Sequence, residues 1–192
     1  MGEGLIRYVR PALLVMSYVL TRFHLTGAVD IIFYPMSSCT GAGVSCINIA
    51  VGICCNYSPR ASMRFRNSAS CDEGAVYRNG MCASHVGSFN GNVCVNGGNF
   101  TGGRWFDNCP SQRRRLRAAG GKEGECTNFV TPNAVLYSED PREGTWVIRT
   151  AEAVDILKQL ESMSDADKIP WMKAQGATYE PEKQKERFVV AH

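Results

Sequence analysis

Histidine is scarce in this 192-residue chain, and so are other signs of acid–base chemistry. The histidines are His24, His85 and His192, and the last is the terminal residue. His85 stands in a segment rich in Gly, Ser and Asn, with no marked nucleophile or orienting group, so we predict an ordinary surface residue. Asp72 and Glu73 are adjacent and would diverge, which argues against paired catalytic carboxylates. We predict no catalytic residue, although a cleft that placed His85 near a carboxylate or hydroxyl would favour an enzyme.

Excess charge and cofactor motifs are also missing. The chain has 21 Lys and Arg against 18 Asp and Glu, and the formal net charge of +3 is too small to indicate a nucleic-acid partner. Its glycine pairs lack the Lys and Ser/Thr that follow in a phosphate-binding loop. No Cys-x2-Cys pair occurs, so the cysteine spacing does not resemble a zinc finger. We therefore expect no cofactor, no zinc site and no nucleic-acid partner.

The hydrophobic run near the N-terminus is too short to span a bilayer. Arg7 and Arg10 precede a largely apolar run of ten residues at 11–20, the length of the hydrophobic region of a signal peptide. The small residues Thr26, Gly27 and Ala28 would allow cleavage after Ala28. We predict a signal peptide at 1–28, a secreted extracellular protein and no membrane association after its removal. The alternative is an amphipathic first helix of the folded protein.

Cysteine is the residue that this sequence has in unusual number. Nine thiols at this density do not persist in a reducing cytosol without a metal, whereas in an oxidising compartment they form disulfides. Four bridges would leave one cysteine unpaired, and spacing fixes neither the connectivity nor the unpaired residue. Cys54 and Cys55 should point to opposite sides of a strand and bond to different partners. The predicted disulfide cysteines are Cys39, Cys46, Cys54, Cys55, Cys71, Cys82, Cys94, Cys109 and Cys126, one of them unpaired.

Residues 29–149 have the pattern of a β domain. Apolar runs or alternation predict strands at Val29–Tyr34, Ile47–Cys55 and Ser62–Arg66, and a later hairpin that pairs 134–137 with 145–149. Asn–Gly pairs, which suit the type I′ turns of hairpins, occur at 79–80, 90–91 and 96–97. Short strands with such turns are typical of a β-sandwich or small barrel.

Residues 150–192 change to a helical pattern. Val154, Leu157 and Leu160 form an apolar stripe at helical spacing. A second helix is predicted from a cap at Ser164 to about Lys173. We expect a short C-terminal helical extension that packs against the β domain, followed by a charged tail.

Exposed loops carry three further candidates. Residues 112–124 form a predicted basic loop, because its clustered arginines cannot be buried unpaired. This loop could be simply solvated, bind phosphate or an acidic surface, or be processed at Arg113, Arg114 and Arg115. Asn99 and Asn56 stand in acceptor sequences for N-glycosylation, and Pro59 weakens the second.

Two short motifs share one spacing, Tyr34-x4-Cys39-x-Gly41 and Val95-x4-Phe100-x-Gly102. They resemble the aromatic-x4-aromatic-x-Gly signature of βγ-crystallin Greek keys. The resemblance implies structural roles for Tyr34, Gly41, Phe100 and Gly102. The predicted fold class is therefore mainly β: a disulfide-stapled, βγ-crystallin-like Greek-key sandwich with a short C-terminal helical extension.

The same family binds calcium through paired Asn/Asp residues followed by hydroxyls. Asp107, Asn108 and Ser111 nearly match that pattern, although Gln112 ends it. They are weak calcium candidates, and the alternative is a capped turn.

A wider resemblance covers residues 29–110. The strand at 29–34, Cys39-Thr40-Gly41, Cys46, the pair Cys54-Cys55 and residues 99–106 resemble small secreted cysteine-rich proteins of filamentous fungi. That group implies secretion and roles at the interface with a host or competitor, and it brings no catalytic residues. We predict a non-enzymatic interaction protein, effector-like or toxin-like, that binds an extracellular or host-surface protein or glycan. The alternatives are a small secreted enzyme or enzyme inhibitor, or a cell-wall structural protein.

Overall fold

Strands hold more than half of the residues that the computed structural model describes, which are 28–109, 128–140, 143–182 and 187–191. Two helices follow the ninth strand. The predicted fold class, mainly β with disulfides and C-terminal helices, is confirmed. The strands are β1 (Val29–Tyr34), β2 (Gly41–Ile49), β3 (Cys54–Arg66), β4 (Glu73–Arg78), β5 (Ser84–Asn90), β6 (Val93–Phe106), β7 (Phe129–Val130), β8 (Ala134–Ser138), β9 (Gly144–Arg149), β10 (Thr178–Pro181) and β11 (Arg187–Val190); the helices are α1 (Ala153–Glu161) and α2 (Asp165–Ala174).

The predicted local elements agree with the structure in part. The first strand and the β8–β9 hairpin lie where the pattern placed them. The prediction of a strand at Ile47–Cys55 is wrong, because β2 ends at Ile49 and β3 begins at Cys54. Between them the chain turns, and the amide of Gly52 donates to the carbonyl of Trp105 at 2.9 Å. The apolar run at 47–55 therefore contains the connection between two strands.

The three Asn–Gly pairs behave differently. Asn79 and Gly80, with φ of 64° and 74°, make the hairpin turn between β4 and β5. The pair at 90–91 joins β5 to β6, which are not neighbours, and the pair at 96–97 lies inside β6. Here the β3–β6 ladder loses its regular register. The hairpin prediction is therefore wrong for these two pairs.

The sheet curls into a barrel-like layer. The order β10-β9-β8-β2-β1-β3 puts β10 five places from β3. A flat sheet would separate them by ~24 Å, at ~4.8 Å for each step. Yet Glu180 of β10 contacts Arg66 of β3 at 2.8 Å. We call these six strands the barrel; its interior holds an apolar cluster of Ile32, Tyr34, Ile47, Ala134, Leu136, Val147 and the bridged Cys39 and Cys94.

Buried ion pairs close the barrel between β10 and β3. Arg64 of β3 has a fully buried side chain and pairs with Glu182, whose side chain is 8% exposed. Arg66 pairs with Asp30, its direct cross-strand neighbour on β1, at 3.0 Å, and with Glu180. The alternation of β3 turns both arginines inward, where only charged partners can compensate their desolvation.

A second layer covers the outside of the barrel. Beyond their irregular middle, β3 and β6 continue to pair there, joined by β4, β5 and β7. Two glycines let this layer approach closely. A Cβ at Gly103 would lie 2.6 Å from Ile31 Cγ2, and one at Gly74 would lie 2.7 Å from the Phe65 ring. The main core lies between the layers, so β-sandwich packing and barrel curvature coexist in one sheet.

The helices and the tail complete the fold. Leu157 and Leu160 of the predicted stripe are buried, and α1 packs on β2 and β8. Met172 of α2 is buried, and this helix packs on β9. The charged tail, for which no strand was predicted, returns as β10 against β9 and as β11 in parallel against β6.

Four disulfides staple the β layers. Cys54 and Cys55 bond to different partners, as their adjacency predicted. Cys126, the ninth cysteine, lies outside the described residues, and the other eight are all bonded to one another. The bridges are Cys39–Cys94, Cys46–Cys55, Cys54–Cys82 and Cys71–Cys109.

The close approach of the layers makes a testable prediction. Gly74→Ala should lower the free energy of unfolding by about 1–3 kcal/mol, because the new methyl group must displace the packed Phe65 ring. The control is Gly87→Ala on β5, where the nearest ring atom would be 3.3 Å away, and it should have a smaller effect. Urea unfolding measures both, and equal stabilities would contradict the packing of the layers.

The closing ion pair makes a second prediction. Glu182→Gln should reduce stability by about 3 kcal/mol, since it removes a carboxylate that pairs with the buried Arg64 guanidinium. Asp155→Asn breaks the exposed pair between Asp155 and Lys158 and should change little. Thermal and urea unfolding of both variants compare the two pairs. If the two substitutions had the same small effect, the pair with Arg64 would not hold the barrel closed.

Candidate functional site

A polar cleft opens at one end of the barrel. It has a volume of about 330 Å³. It lies between the start of β1, the end of β3, the end of β9 and strand β10. We call it the barrel mouth. Its lining residues are Asp30, Ile47, Asn48, Arg66, Asn67, Arg149, Tyr179, Glu180, Pro181 and Glu182.

Asp30 is the centre of the hydrogen bonds at the base of the mouth. Its carboxylate is 2% exposed and accepts from Arg66 Nε at 3.2 Å and Nη2 at 3.0 Å. It also accepts from the backbone amide of Asn48 at 3.0 Å and from Asn67 Nδ2 at 2.8 Å. Both asparagines have left-handed φ, 57° and 63°, which Asn tolerates better than most residues. Asp30 therefore fixes the two asparagines at the edge of the cleft.

Glu180 links the base of the mouth to its rim. Its carboxylate accepts from Arg66 at 2.8 Å and from Arg149, whose side chain is 53% exposed. Two carboxylates, Asp30 and Glu180, thus face two guanidinium groups, Arg66 and Arg149. The mouth is densely polar but carries no net charge from these four residues.

One half-exposed aromatic ring lies on the outer face of β10, opposite the face that carries Glu180. Tyr179 is 48% exposed, and its ring centroid lies 5.2 Å from that of Trp146. Its hydroxyl donates to the carbonyl of Glu143 at 2.9 Å. Lys173 Nζ lies 4.7 Å from the centroid of the Trp146 ring. These contacts fix the Tyr179 ring on the outer face of the barrel, beside Trp146 and Lys173.

Both of these carboxylates are engaged in ion pairs. Asp30 and Glu180 are each held by guanidinium groups. His85 lies elsewhere, on β5. Its Nε2 is 3.0 Å from Ser88 Oγ, but both residues are exposed on the strand surface rather than set in a cleft.

The adjacent acids and the calcium candidates lie together in the second layer. Asp72 is buried, which raises the pKa of its carboxyl, and nearby Asp107 adds to that effect. Asp107 Oδ1 accepts from the amide of Cys109 at 3.0 Å, while Asn108 Nδ2 donates to Glu73 at 2.6 Å. These are the contacts of a capped turn.

The calcium site remains a prediction, because Ser111 lies outside the described residues. Cys71, Asp72 and Cys109 approach one another as metal ligands would. The two sulfurs form a disulfide, however, and so provide no thiolate.

The remaining predicted residues occupy different parts of the structure. Asn99 is exposed on β6, whereas Asn56 is half-buried and its Oδ1 accepts from the amide of Met81. Tyr34 and Phe100 are fully buried in separate clusters. Gly102 packs against the Cys54–Cys82 bridge, and Gly41 begins β2. The basic loop, with Arg113, Arg114 and Arg115, lies outside the described residues.

A second groove lies between the helices and the barrel, with a volume of about 440 Å³. Its base includes Tyr137, whose pKa is raised by burial and by the nearby Asp165 and Glu139. Lys168 pairs with Asp165, and Arg60 pairs with Glu161. We take the barrel mouth as the candidate site because charged side chains make up a larger share of its lining.

Sequence reasoning did not identify the residues of the mouth. Arg66 and Glu180 are separated by 114 residues and meet only because the sheet curls. One local signal existed: Arg64 and Arg66 alternate with apolar residues in a strand pattern. That alternation defines two faces of a strand, but it does not show that the charged face lies inside a barrel.

Neither described helix has the length and apolar character that crossing a membrane requires. Comparison with curated proteins and with solved structures gave no match. A family model does match, over residues 30–133, which is more than half of the chain. The match spans β1 to β7 and therefore includes Asp30, Asn48, Arg66 and Asn67 of the mouth. The chain belongs to the family of the ARB_05566_N N-terminal domain.

Proposed function

We propose that this protein is a secreted, disulfide-rich, non-enzymatic binding protein that holds a polar extracellular ligand in the barrel mouth. The observation that carries the proposal is the mouth itself. Its four principal charged residues are compensated and oriented by one another. A polar cleft whose charged groups are oriented by one another is suited to recognition.

Secretion is supported by the disulfides and by the position of the first strand. Eight of the nine cysteines are bonded in pairs, which requires an oxidising compartment to persist. β1 begins at Val29, directly after the predicted cleavage site at Ala28. Removal of residues 1–28 would therefore leave every described strand complete. An effector-like or toxin-like role, a fungal source and the βγ-crystallin likeness belong to this proposal as its finer parts.

Mass spectrometry of secreted protein tests the proposal. The mature chain should begin at Val29 and weigh eight hydrogens less than after reduction, two for each of the four bridges. Peptide mapping should recover those four pairs, with Cys126 in none of them. A chain that stays inside the cell, keeps residues 1–28 and has reduced cysteines would overturn the proposed function.

We also propose that the basic loop is cut at Arg113, Arg114 and Arg115 during secretion. All four bridges join residues between 39 and 109, so none would link the two fragments. Denaturing gels should show two fragments even without reductant. Gel filtration should keep them together, because β8 pairs with β2 and β11 with β6. The triple substitution to Ala is the control, and a single full-length band for the secreted wild type would exclude processing.

A further inference from the structure

We infer that Asn99 carries an N-linked oligosaccharide and that Asn56, in the other acceptor sequence, stays unmodified. This inference rests on the proposed secretion, because the modification is made in the secretory pathway. It is carried by the place of Asn99 in a bulge of β6, by the exposure of its amide group and by the contrast with Asn56.

Asn99 lies in a bulge of β6. Asn96 pairs with Ser62 of β3 and Phe100 pairs with Arg60, so residues 97–99 stand opposite a single residue of β3. Extra residues of this kind leave the ladder and bend the strand. Asn99 has a left-handed φ of 58°, which Asn tolerates better than most residues. The bulge therefore takes Asn99 out of the paired sheet.

Arg78 of the neighbouring strand β4 holds this bulge. Its Nε donates to the carbonyl of Gly98 at 3.3 Å, and its Nη2 donates to the carbonyl of Gly97 at 3.2 Å. Its guanidinium carbon lies 5.9 Å from the centroid of the Phe100 ring. These hydrogen bonds satisfy backbone carbonyls that the bulge removes from the ladder. A sugar on the Asn99 side chain would displace neither of them.

The Asn99 side chain faces solvent. Asn99 is exposed, whereas the next residue, Phe100, is fully buried. Within the described ranges, the Asn99 amide group has no hydrogen-bond partner. Asn99 also lines a groove of about 250 Å³, together with Pro35, Pro59 and Ala61. The first sugar of a glycan therefore has room beside the attachment atom, Nδ2.

The transfer of the glycan must precede the folding of β6. Thr101, the hydroxyl residue of the acceptor sequence, is 7% exposed, and its Oγ1 accepts from the amide of Gly80 at 2.7 Å. An enzyme could not reach this hydroxyl in the folded chain. During export, Asn99 Nδ2 bonds to the anomeric carbon of an oligosaccharide carried on a lipid pyrophosphate. The bond from that carbon to the phosphate oxygen breaks, the lipid pyrophosphate leaves with the electron pair, and the amide loses one proton.

Asn56 is a poorer acceptor than Asn99. It is half-buried, and its Oδ1 accepts from the amide of Met81 at 2.7 Å. Its backbone pairs with Gly102 in the ladder, and the preceding Cys55 is fully buried. A bulky glycan at this position would press on the connection between β4 and β5. Pro59, directly after the acceptor sequence, weakens it further.

A glycan on Asn99 would leave the barrel mouth open. Strand β1 runs from Asp30, at the base of the mouth, towards Pro35, in the groove beside Asn99. At ~3.3 Å for each residue, these two positions are roughly 16 Å apart. No residue that lines the groove also lines the mouth. The modification is therefore compatible with binding of a ligand at the mouth.

Intact mass spectrometry of protein secreted by a eukaryotic host cell tests the inference. The wild type should exceed the mass of its polypeptide by one glycan, Asn99→Asp should lose that mass completely, and the matched control Asn56→Asp should keep it. Asp has nearly the shape of Asn and also tolerates a left-handed φ, so the bulge should persist. Removal of the glycan by peptide N-glycosidase in water labelled with heavy oxygen should convert residue 99, and not residue 56, into labelled Asp.

Three results would overturn the inference: a secreted wild type without a glycan, a labelled residue 56, or an Asn99→Asp variant that keeps the full glycan mass. Thermal unfolding checks that both variants are folded, and the heavy-oxygen label on the wild type decides the matter without any variant. Secretion with the mapped disulfides but no glycan would leave the proposed function standing. A reduced chain that stays inside the cell would overturn both.

Discussion

Two arginines of β3 point into the barrel, and the rest of the structure depends on how their charge is compensated. Arg66 meets Asp30 from the neighbouring strand and Glu180 from β10, while Arg64 meets Glu182. A buried guanidinium group costs too much free energy to remain unpaired, so the carboxylates must be brought to it. Meeting that demand requires the sheet to curl until its first strand in spatial order approaches its sixth. The same contacts that close the barrel also shape its mouth, so stability and the proposed site share their residues.

The other stabilising devices act on the outside of this curled sheet. The second layer approaches closely because Gly74 and Gly103 present no side chains to it. The disulfides are concentrated in the part of the chain before residue 110, where one joins β2 to β3 and the other three anchor the β1–β2, β3–β4 and β4–β5 connections. Beyond that part, the chain relies on packing: α1 through Leu157 and Leu160, and the tail through strand pairing and ion pairs. The fold therefore has a covalently braced half and a half held by non-covalent contacts.

Local patterns in the sequence predicted the structural features that depend only on residues close together in the chain. Val29–Tyr34 was recognisable as a strand, the helical stripe of α1 by its spacing, and the divergent pairing of Cys54 and Cys55 by their adjacency. The same rules failed where distant segments decide the outcome. The Asn–Gly pair at 96–97 became an irregularity within β6, because β3 and β6 pair on both sides of it. The barrel mouth could not be predicted, since Glu180 reaches Arg66 only after the sheet has curled. The charged composition of the tail did not predict a strand, yet the tail supplies the acids that close the barrel.

The distribution of the mouth along the chain has a consequence for the order of synthesis. Asp30, Asn48 and Arg66 leave the ribosome first, and Glu180 follows Arg66 by 114 residues. A nascent chain must therefore keep its inward arginines without Glu180 and Glu182 until β10 and the residue after it have been made. Chains that terminate before β10 lack these acids. Quality control that detects unfolded chains during export would then also remove the copies that could never bind a ligand.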